Sequence, residues 1–336
     1  MPYSLLHHNT FGIDAHCSSF REYNSVEELR DILKSLSNGN GKFLHIGQGS
    51  NLLFTKDYDG TILHSKIKGV EIVADGGDEV TVRAGAGIAW DDFVAWTVVS
   101  GLYGLENLSL IPGEVGASAV QNIGAYGAEA GDSISLVESI EVATGKVRNW
   151  TSKECDYSYR HSIFKGEEKG LYVITHVCFK LSRHFRPNLN YKGLMREVEE
   201  VRGLSETEID AETLRSIVVE TRKSKLPDPA VMGSAGSFFM NPVVAQDKFD
   251  ELIGKYPNMP HFPMPNGIKI PAGWMIDQCG WKGKSLGHAG VYGKQALVLV
   301  NLGGAKGEDI VKLSDAVRAD VKGKFGIDIY PEVNFV

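Results

Sequence analysis

A glycine-rich stretch in the middle of the chain carries the residues best suited to bind a ligand. From Ile111 to Gly127 it reads IPGEVGASAVQNIGAYG, where glycines and other tiny residues alternate with Gln121, Asn122 and Tyr126. Glycine leaves backbone N–H groups open to close approach, and the three polar side chains add hydrogen-bond donors with little charge. We therefore predict a loop that binds an anionic or acceptor-rich ligand. A tight structural crossing between packed elements is the alternative.

Two further glycine-bearing segments precede it. The amide-rich segment GQGSNLLF (Gly47 to Phe54) lies between two predicted strands, where a plain connecting turn is the more frequent role. The segment AGAGIAW (Ala84 to Trp90) has a predicted strand before it, a GxG pattern and a predicted helix after it, as a dinucleotide-binding motif does. However, Trp90 stands where a small residue should pack, the preceding strand comes from a hairpin, and Asp91 and Asp92 would repel a pyrophosphate. We therefore predict no Rossmann domain.

Three single residues have side chains that suit catalysis. Arg160 lies among aromatic and small polar residues in YSYRHSIFK, Ser237 lies in GSAGSFFMNP, and Glu332 lies on the polar face of a predicted final strand. Their ordinary roles would be a snorkelling surface arginine, a turn serine and a solvated carboxylate. No GxSxG motif surrounds Ser237, which excludes a hydrolase elbow. Lys225, twelve residues earlier, can fold back across LPDP to bind phosphate or assist proton donation.

The elements that position these residues are mainly hairpins with a few helices, which favours an α+β fold over an alternating α/β one. Apolar periodicity predicts helices at Ser25–Ser37, Asp91–Leu102, Ala211–Ser224 and Glu308–Phe325, and a short buried helix within Ile270–Lys284. Turn signals predict hairpins within Val70–Arg83 and Leu136–Trp150. The final segment, Ile327–Val336, alternates as one strand with Ile327, Ile329, Val333 and Phe335 on the same face.

Composition limits the class of protein. The 336 residues, 43% hydrophobic and 23% charged, suggest a globular protein of about two or three domains. A net charge of −7 argues against a nucleic-acid surface, so an anionic small ligand needs a local cluster of cations. The four scattered cysteines suggest neither zinc nor disulfides, and a reducing cytoplasm fits best. We expect no secretory signal and no membrane span.

A series of motifs carries a resemblance to a known family. In order along the chain they are NTFGID, GQGSNLLF, IPGEVGASAVQNIGAYG, YRHSIFK, KLPDP, GSAGSFFMNP, AGWMIDQCGWKG, QALVLVN and PEVNF. Over essentially the whole chain they closely resemble the UDP-N-acetylenolpyruvoylglucosamine reductases (MurB) of bacterial peptidoglycan synthesis. The segment NYKGL, Asn190 to Leu194, is similar to the longer branch of that family, whose extra segment brings a tyrosine over the substrate.

The resemblance implies an FAD-binding fold of the vanillyl-alcohol-oxidase (PCMH) type in two subdomains, with a C-terminal α+β substrate domain. We expect the subdomains at 1–69 and 70–209, the latter containing the central glycine-rich stretch. The substrate domain would span 210–326, and residues 327–336 would return Glu332 to the FAD-binding part. The implied protein is a cytoplasmic monomer that binds no nucleic acid and no membrane.

The implied reaction has two halves. NADPH reduces a non-covalently bound FAD, and the reduced flavin then delivers hydride to the enolpyruvyl methylene carbon of UDP-N-acetylglucosamine enolpyruvate, which gives UDP-N-acetylmuramate. An enediolate develops beside that carbon and needs charge stabilisation and a proton. By resemblance, Arg160 and Glu332 stabilise the enediolate and Ser237 supplies the proton.

The same resemblance assigns the binding residues. Flavin contacts are expected at Gly47, Gly49, Ser50, Asn51, Gly113, Ser118, Gln121, Asn122, Gly124, Ala125 and Tyr126. Contacts to the UDP-sugar are expected at Tyr191, Lys225, Asn241, Lys282 and Gln295. One departure is Met240, where the family often has lysine, so one peripheral charge near the substrate is lost. We assign no metal ligand, and the histidines match no ligand position.

Two other functions are compatible with parts of this pattern. An FAD oxidase or dehydrogenase acting on alcohols shares the fold type and would differ in a covalent flavin linkage or oxygen consumption. A nucleotide-sugar sensor without turnover would keep the binding residues, but retention of Arg160, Ser237 and Glu332 together argues against it.

Overall fold

The structure, a computed structural model, describes residues 1–39 and 41–336. These residues form two compact units. The larger unit contains Met1, Cys17–Gln48 and Asp59–Ser224, and the smaller contains Pro2–His16, Gly49–Tyr58 and Lys225–Val336. The finer division at residues 69, 209 and 326 stays a prediction.

Residues 1–39 and 41–336 form eight α-helices and nineteen short or medium strands. The helices are α1 (Val26–Asn38), α2 (Trp90–Val99), α3 (Val115–Gln121), α4 (Lys192–Arg196), α5 (Ala211–Lys225), α6 (Gln246–Lys255), α7 (Ala272–Gln278) and α8 (Gly307–Phe325). The predicted helices therefore exist within a few residues of the expected bounds. In α1, for example, the hydroxyl of Ser25 accepts a hydrogen bond from the amide of Glu28 at 3.1 Å, which caps the start of the helix.

The strands of the larger unit form two main sheets. They are β2 (His16–Tyr23), β3 (Phe43–Ile46), β5 (Tyr58–Ser65), β6 (Val70–Asp75), β7 (Glu79–Gly85), β8 (Gly124–Ala125), β9 (Ala128–Glu129), β10 (Ile134–Glu141), β11 (Val147–Thr151) and β12 (Tyr172–Ser182). In the first sheet β5 lies between β2 and β3, and β3 and β5 run parallel. The second sheet has the antiparallel order β11-β10-β12-β7-β6, which confirms both predicted hairpins.

The core of the second sheet explains the AGAGIAW segment. Trp90 is fully buried beside Phe93 and Phe179, and its indole N–H donates to the carbonyl of Leu108 at 2.8 Å. A Cβ on Gly85 would lie 2.5 Å from the carbonyl oxygen of Ile67. The glycine therefore allows two backbone segments to touch, and the prediction that the segment is not a Rossmann motif is confirmed.

The central stretch is not the continuous loop that its composition predicts. Residues Val115–Gln121 form α3, whose Val115 and Ala119 are fully buried. A Cβ on Gly116 would lie 2.8 Å from that of Ala86, so the small residues let the helix pack closely against a neighbouring segment. Packing of this apolar side outweighs the weak helix propensity of glycine. The expectation of an all-loop segment was wrong.

A brace from two helices holds the chain just before α3. Leu110 has left-handed backbone (φ 56°), which is unfavourable for a leucine. Its N–H donates to Asp91 Oδ1 at 2.6 Å and its carbonyl accepts from Arg222 Nε at 3.1 Å. Asp91 also accepts two hydrogen bonds from Arg215, at 2.6 and 3.0 Å. Helices α2 and α5 thus fix the backbone three residues before Gly113.

The strands of the smaller unit are short. They are β1 (Tyr3–Ser4), β4 (Leu52–Leu53), β13 (Val243–Val244), β14 (Phe262–Met264), β15 (Gly267–Lys269), β16 (Ser285–Leu286), β17 (Ala289–Val291), β18 (Leu299–Asn301) and β19 (Asn334–Phe335). Two three-stranded sheets have the orders β13-β15-β14 and β16-β17-β18, and β19 pairs with β4 in parallel. Helix α8 buries one apolar face, formed by Ile310, Leu313, Val317, Val321 and Phe325.

The end of the chain differs from the predicted ten-residue strand. Only Asn334–Phe335 is strand, because only these two residues pair with a strand, at Leu52–Leu53, and Pro331 lacks an N–H to donate. Ile327, Ile329 and Val333 are buried as predicted, but Phe335 is 46% exposed. The alternation correctly predicted the buried face of Ile327–Val333 and failed at its last member.

A cluster of charges crosses the outer face of the second sheet. Arg83 makes two hydrogen bonds of 2.7 Å to the Glu138 carboxylate and one of 2.7 Å to Glu71. His176 Nδ1 lies 3.4 Å from the same Glu138 carboxylate. Hydrogen bonds from His176 and Arg83 lower the pKa of Glu138 to about 2. The cluster therefore ties β6, β7, β10 and β12 together while Glu138 is ionised.

The Asp91 brace predicts the effect of one substitution. Although burial opposes it, hydrogen bonds from Arg215 and from the Leu110 N–H lower the pKa of Asp91, so the folded protein favours the carboxylate. Asp91→Asn removes the charge opposite Arg215, and we expect a loss of about 2 kcal/mol in the free energy of unfolding at pH 7. Urea unfolding followed by tryptophan fluorescence measures it. The exposed neighbour Asp92→Asn is the control, and equal effects of both substitutions would contradict the brace.

Glu138→Gln tests the charge cluster through pH. Because the folded pKa of about 2 is lower than the ordinary 4.5, Glu138 stabilises the fold above pH 4.5 and loses that contribution as pH falls towards 2. We expect the substitution to lower the free energy of unfolding by about 2 kcal/mol at pH 7 and by much less at the acidic end. Urea titrations across this range measure the difference. Glu79→Gln, in the exposed pair with Lys180, should change little at any pH.

Candidate active site

The residue that follows α3 shapes the central stretch. Asn122 has left-handed backbone (φ 45°, ψ 60°) and is buried. Its Nδ2 donates to Glu129 Oε2 at 2.8 Å and to the carbonyl of Ser158 at 2.9 Å, while its Oδ1 accepts from the amide of Gly131 at 2.8 Å. The side chain is therefore engaged within the protein. Its backbone is engaged as well, because its N–H donates to the carbonyl of Ser118 and its carbonyl accepts from Arg160 Nη1.

Arg160 lies against the same stretch. Its Nη2 donates to the carbonyl of Gly124 at 2.6 Å and its Nη1 approaches the carbonyl of Asn122 at 3.5 Å. A Cβ on Gly124 would lie 2.8 Å from the guanidinium Nη1. A side chain at position 124 would crowd the guanidinium, and the structure brings together Arg160 and two predicted flavin contacts, Asn122 and Gly124.

Lys165 is a polar residue of this region that the sequence analysis missed. Its ammonium donates to Gln121 Oε1 at 2.8 Å and to the carbonyl of Arg160 at 3.0 Å. The signal was present, because Lys165 closes the YRHSIFK motif five residues after Arg160. It was not interpreted because spacing alone does not show that this turn folds back towards the end of α3.

Tyr126 and Tyr191 lie together. Their rings meet edge to face at 5.6 Å between centroids, and Tyr191 is 45% exposed. Tyr126 also has left-handed backbone (φ 49°), and its carbonyl accepts from Asn107 Nδ2 at 2.8 Å. The same Nδ2 donates to the carbonyl of Asn188 at 2.8 Å, which ties the segment before Tyr191 to Tyr126. Burial raises the pKa of the Tyr126 phenol, which keeps it a neutral donor.

Gly113 and Glu114 contact the segment that contains Gly47 and Gln48. A Cβ on Gly47 would lie 3.1 Å from Glu114 Oε2, and the other oxygen of Glu114 lies 2.8 Å from His64 Nε2. Gly113 donates its N–H to Gln48 Oε1 at 3.1 Å. These contacts bring the predicted flavin residues Gly47 and Gly113 close together. The remaining two predicted contacts of this unit are Ser118, whose buried hydroxyl donates to Val115 O at 2.7 Å, and Ala125, which pairs with Ala128.

In the smaller unit, Ser237 and Glu332 lie on facing segments. The amide of Glu332 donates to the carbonyl of Phe238 at 2.8 Å, and Phe239 pairs with Pro331. Phe238 is therefore the residue opposite Glu332, and Ser237 comes directly before it in the chain. It follows Gly236, which has left-handed backbone (φ 66°), and its side chain is exposed while both phenylalanines are buried.

The second half of GQGSNLLF also meets Glu332. Asn51 Nδ2 donates to the carbonyl of Glu332 at 3.3 Å, and the carbonyl of Asn51 accepts from the amide of Asn334 at 3.1 Å. Gly49 has left-handed backbone, and a Cβ there would lie 2.1 Å from the carbonyl of His8. Ser50 lies between Gly49 and Asn51 in this turn. The structure thus brings a predicted flavin contact, Asn51, together with a predicted catalytic residue.

The predicted substrate residues of the smaller unit gather around α7. Asn241 Oδ1 accepts a hydrogen bond from the backbone N–H of Ala272 at 2.9 Å. Gln295 Oε1 lies 3.1 Å from the position that a Cβ on Gly273 would occupy. The side chains of Asn241 and Gln295 therefore both contact the start of the helix. Lys282 Nζ lies 3.7 Å from Asp277 near its end. Lys225 is the last residue of α5 and is exposed.

The donors present fit a dinucleotide cofactor such as FAD. The amides of Gly47 and Gln48 donate no hydrogen bond to any residue in 1–39 or 41–336, and neither does Gln121 Nε2. Unpaired N–H groups beside small residues suit phosphate and carbonyl oxygens. Within the same ranges, no group of three or more His, Cys, Asp or Glu side chains could hold a metal ion, and none of the helices is long and apolar enough to cross a bilayer.

Comparison with known proteins agrees with this geometry. Residues 19–150 match a domain family described as FAD binding domain, and residues 228–336 match the C-terminal domain of UDP-N-acetylenolpyruvoylglucosamine reductase. The UDP-N-acetylenolpyruvoylglucosamine reductase of Bacteroides fragilis (strain YCH46) is 56% identical over 335 residues, with 99% of each chain covered. That of Porphyromonas gingivalis (strain ATCC 33277) is 44% identical over 335 residues, with 99% of this chain and 98% of the relative covered.

A solved structure shows the same fold. The UDP-N-acetylenolpyruvylglucosamine reductase (MurB) from Thermus caldophilus superposes with a TM-score of 0.69 at 21% identity, with 100% of this chain and 98% of that chain covered. The fold of the FAD-binding part is thereby confirmed as the expected α+β type. Identity over the full length, together with the FAD-binding domain, shows that the chain belongs to the UDP-N-acetylenolpyruvoylglucosamine reductase family and is an FAD-dependent oxidoreductase.

Proposed function

We propose that the chain catalyses the NADPH-dependent, FAD-mediated reduction of UDP-N-acetylglucosamine enolpyruvate to UDP-N-acetylmuramate in peptidoglycan precursor synthesis. The observation that carries the proposal is the pairing of the Ser237 and Glu332 segments in a chain 56% identical to a UDP-N-acetylenolpyruvoylglucosamine reductase. This pairing places Ser237 one residue from the position opposite Glu332, and Ser237 is exposed, as a residue that protonates an enediolate must be.

The cofactor would be held without a covalent bond. Gly47, Gly49, Ser50 and Asn51 would contact it, as would the central stretch at Gly113, Ser118, Gln121, Asn122, Gly124, Ala125 and Tyr126. Bound FAD supplies the two-electron chemistry, since flavin accepts hydride from NADPH and gives it to the enolpyruvyl methylene carbon. Because Asn122 and Ser118 use their side chains internally, their contribution is backbone geometry.

Arg160 and Glu332 stabilise the charge that follows hydride addition. The negative charge develops beside the methylene carbon and spreads into the substrate carboxylate as an enediolate. A guanidinium stays charged at every accessible pH, and Arg160 is already fixed by its hydrogen bond to Gly124, so little reorganisation is needed. Two hydrogen bonds hold the backbone of Glu332. Its N–H donates to the carbonyl of Phe238, and its carbonyl accepts from the Asn51 side chain.

Ser237 supplies the proton. Its hydroxyl donates to none of the described residues, so it is available to the substrate. Serine is a weak acid, but an enediolate is a strong base, and exclusion of water favours the transfer. The UDP-sugar is bound by Tyr191, Lys225, Asn241, Lys282 and Gln295. The two lysines supply local positive charge for a diphosphate on a chain whose net charge is −7.

An anaerobic absorbance experiment tests the function as a whole. The purified protein with FAD should be yellow, should bleach with NADPH and should be re-oxidised by UDP-N-acetylglucosamine enolpyruvate but not by UDP-N-acetylglucosamine. A protein that takes up no FAD would overturn the proposal. A protein re-oxidised by oxygen alone would indicate an oxidase instead.

Ser237→Ala separates the two half-reactions. We expect FAD binding and NADPH-driven bleaching to stay within about twofold of wild type, and substrate-driven re-oxidation to fall by about 10²- to 10⁴-fold, because the proton donor is missing. Anaerobic stopped-flow absorbance measures each half. Ser285→Ala, an exposed serine of the same unit, should leave both rates unchanged. Equal slowing of both halves would mean that Ser237 is not the proton donor.

Glu332→Gln should also spare the first half-reaction and slow the second, because the substitution keeps the backbone bonds of Glu332 and removes its charge. The same stopped-flow measurement applies, with the exposed Glu308→Gln as the control. Loss of FAD from Glu332→Gln would instead show that its carboxylate is structural.

A further inference from the structure

Lys165 has a position that none of the assigned roles explains. Its side chain is half-buried, and its ammonium bridges Gln121 Oε1 at 2.8 Å and the carbonyl of Arg160 at 3.0 Å. Gln121 is the last residue of α3, and Arg160 is the residue expected to stabilise the enediolate. One cation therefore links a flavin contact to a catalytic residue inside the larger unit.

The chemistry of this bridge fixes which way the Gln121 amide points. An ammonium has only donors, so the Gln121 atom that faces it must be the oxygen. The amide nitrogen is then on the far side, where it makes no hydrogen bond to residues 1–39 or 41–336. Gln121 thus offers two N–H donors and no acceptor to whatever lies there.

The second contact of Lys165 is to the backbone carbonyl of Arg160. Arg160 has a left-handed φ of 56°, a conformation that is unfavourable for a residue with a side chain. The carbonyl of Arg160 accepts from Lys165, while its guanidinium donates to Gly124. The ammonium therefore orients the Gln121 amide and supports the backbone from which the Arg160 guanidinium projects.

We propose that Lys165 is a positioning residue that locks Gln121 as a hydrogen-bond donor to the flavin ring and so raises the reduction potential of the bound cofactor. The inference rests on the proposed function, which places FAD against the central stretch. Reduced flavin carries more negative charge on its ring oxygens and nitrogens than oxidised flavin, so an N–H donor stabilises the reduced form more. Without the ammonium, the Gln121 amide can turn over and present its oxygen, which disfavours the reduced form.

The test compares the affinity of the protein for reduced and oxidised FAD. In Lys165→Met we expect the ratio of these affinities to fall about tenfold, which equals a midpoint potential about 30 mV more negative. Gln121→Leu should give a similar shift. In the double variant the shift should be no larger than in either single one, because Lys165 acts through Gln121. Dye-equilibrated reductive titration measures the potential, and fluorescence quenching of FAD measures the affinity for the oxidised form.

Three further variants serve as controls. Lys165→Arg keeps a cationic donor and should restore most of the wild-type potential. Lys169→Met removes an exposed lysine from the same turn and should change nothing. Gln121→Glu keeps the pairing with Lys165 but replaces the donors by an acceptor, so its potential should be at least as negative as that of Lys165→Met. It also provides the measurement if Lys165→Met fails to fold.

Other outcomes would overturn the inference. An unchanged potential in Lys165→Met or in Gln121→Glu would show that the amide orientation does not matter to the flavin. Additive shifts in the double variant would show that the ammonium acts directly by its charge. Both results leave the proposed function standing, because FAD is still bound and reduced. A wild-type protein with no affinity for FAD would instead overturn the proposed function, and this inference with it.

Discussion

Strained backbone in the larger unit is the constraint on which the site depends. Among residues 1–39 and 41–336, five non-glycine residues have left-handed φ. Four of them lie in or beside the central stretch, and they are Leu110, Asn122, Tyr126 and Arg160. Each such residue costs about 1–2 kcal/mol, so it persists only where its surroundings impose it. Here each has its own support. Leu110 is held by Asp91 and Arg222, and Asn122 by its own side-chain hydrogen bonds. Tyr126 is held by the Asn107 side chain and Arg160 by the Lys165 ammonium.

These supports explain why polar side chains are buried near the site. Asn107 and Asn122 are both buried, and each makes more than one hydrogen bond to another segment. Because an unmade hydrogen bond in the interior is costly, a fully engaged amide admits one backbone arrangement and rejects others. The stretch is therefore preorganised by hydrogen bonds between segments distant in sequence, although its own residues are small and mostly without charge.

The glycines of the motifs have a different role from the one their abundance suggests. A side chain at Gly85, Gly116 or Gly124 would clash with protein atoms within 3 Å. These glycines let strands, a helix and a guanidinium approach one another. Gly47 is the contrasting case, since its amide donates to no described residue and a Cβ there would meet only the carboxylate of Glu114 closely.

The sequence alone determined the fold class, the hairpins and helices, the absence of a Rossmann motif and the family, because periodicity, turn residues and a full-length series of motifs are local properties of the chain. It did not determine that Val115–Gln121 is helical, because packing against Ala86 decides that. Nor did it show that only Asn334–Phe335 of the last segment is strand, because a partner at Leu52–Leu53 decides that. The positions of Asp91, Asn107 and Lys165 next to the site likewise depend on contacts between residues far apart in sequence. Such contacts exist only once the chain has folded, which is why only the tertiary structure could show them.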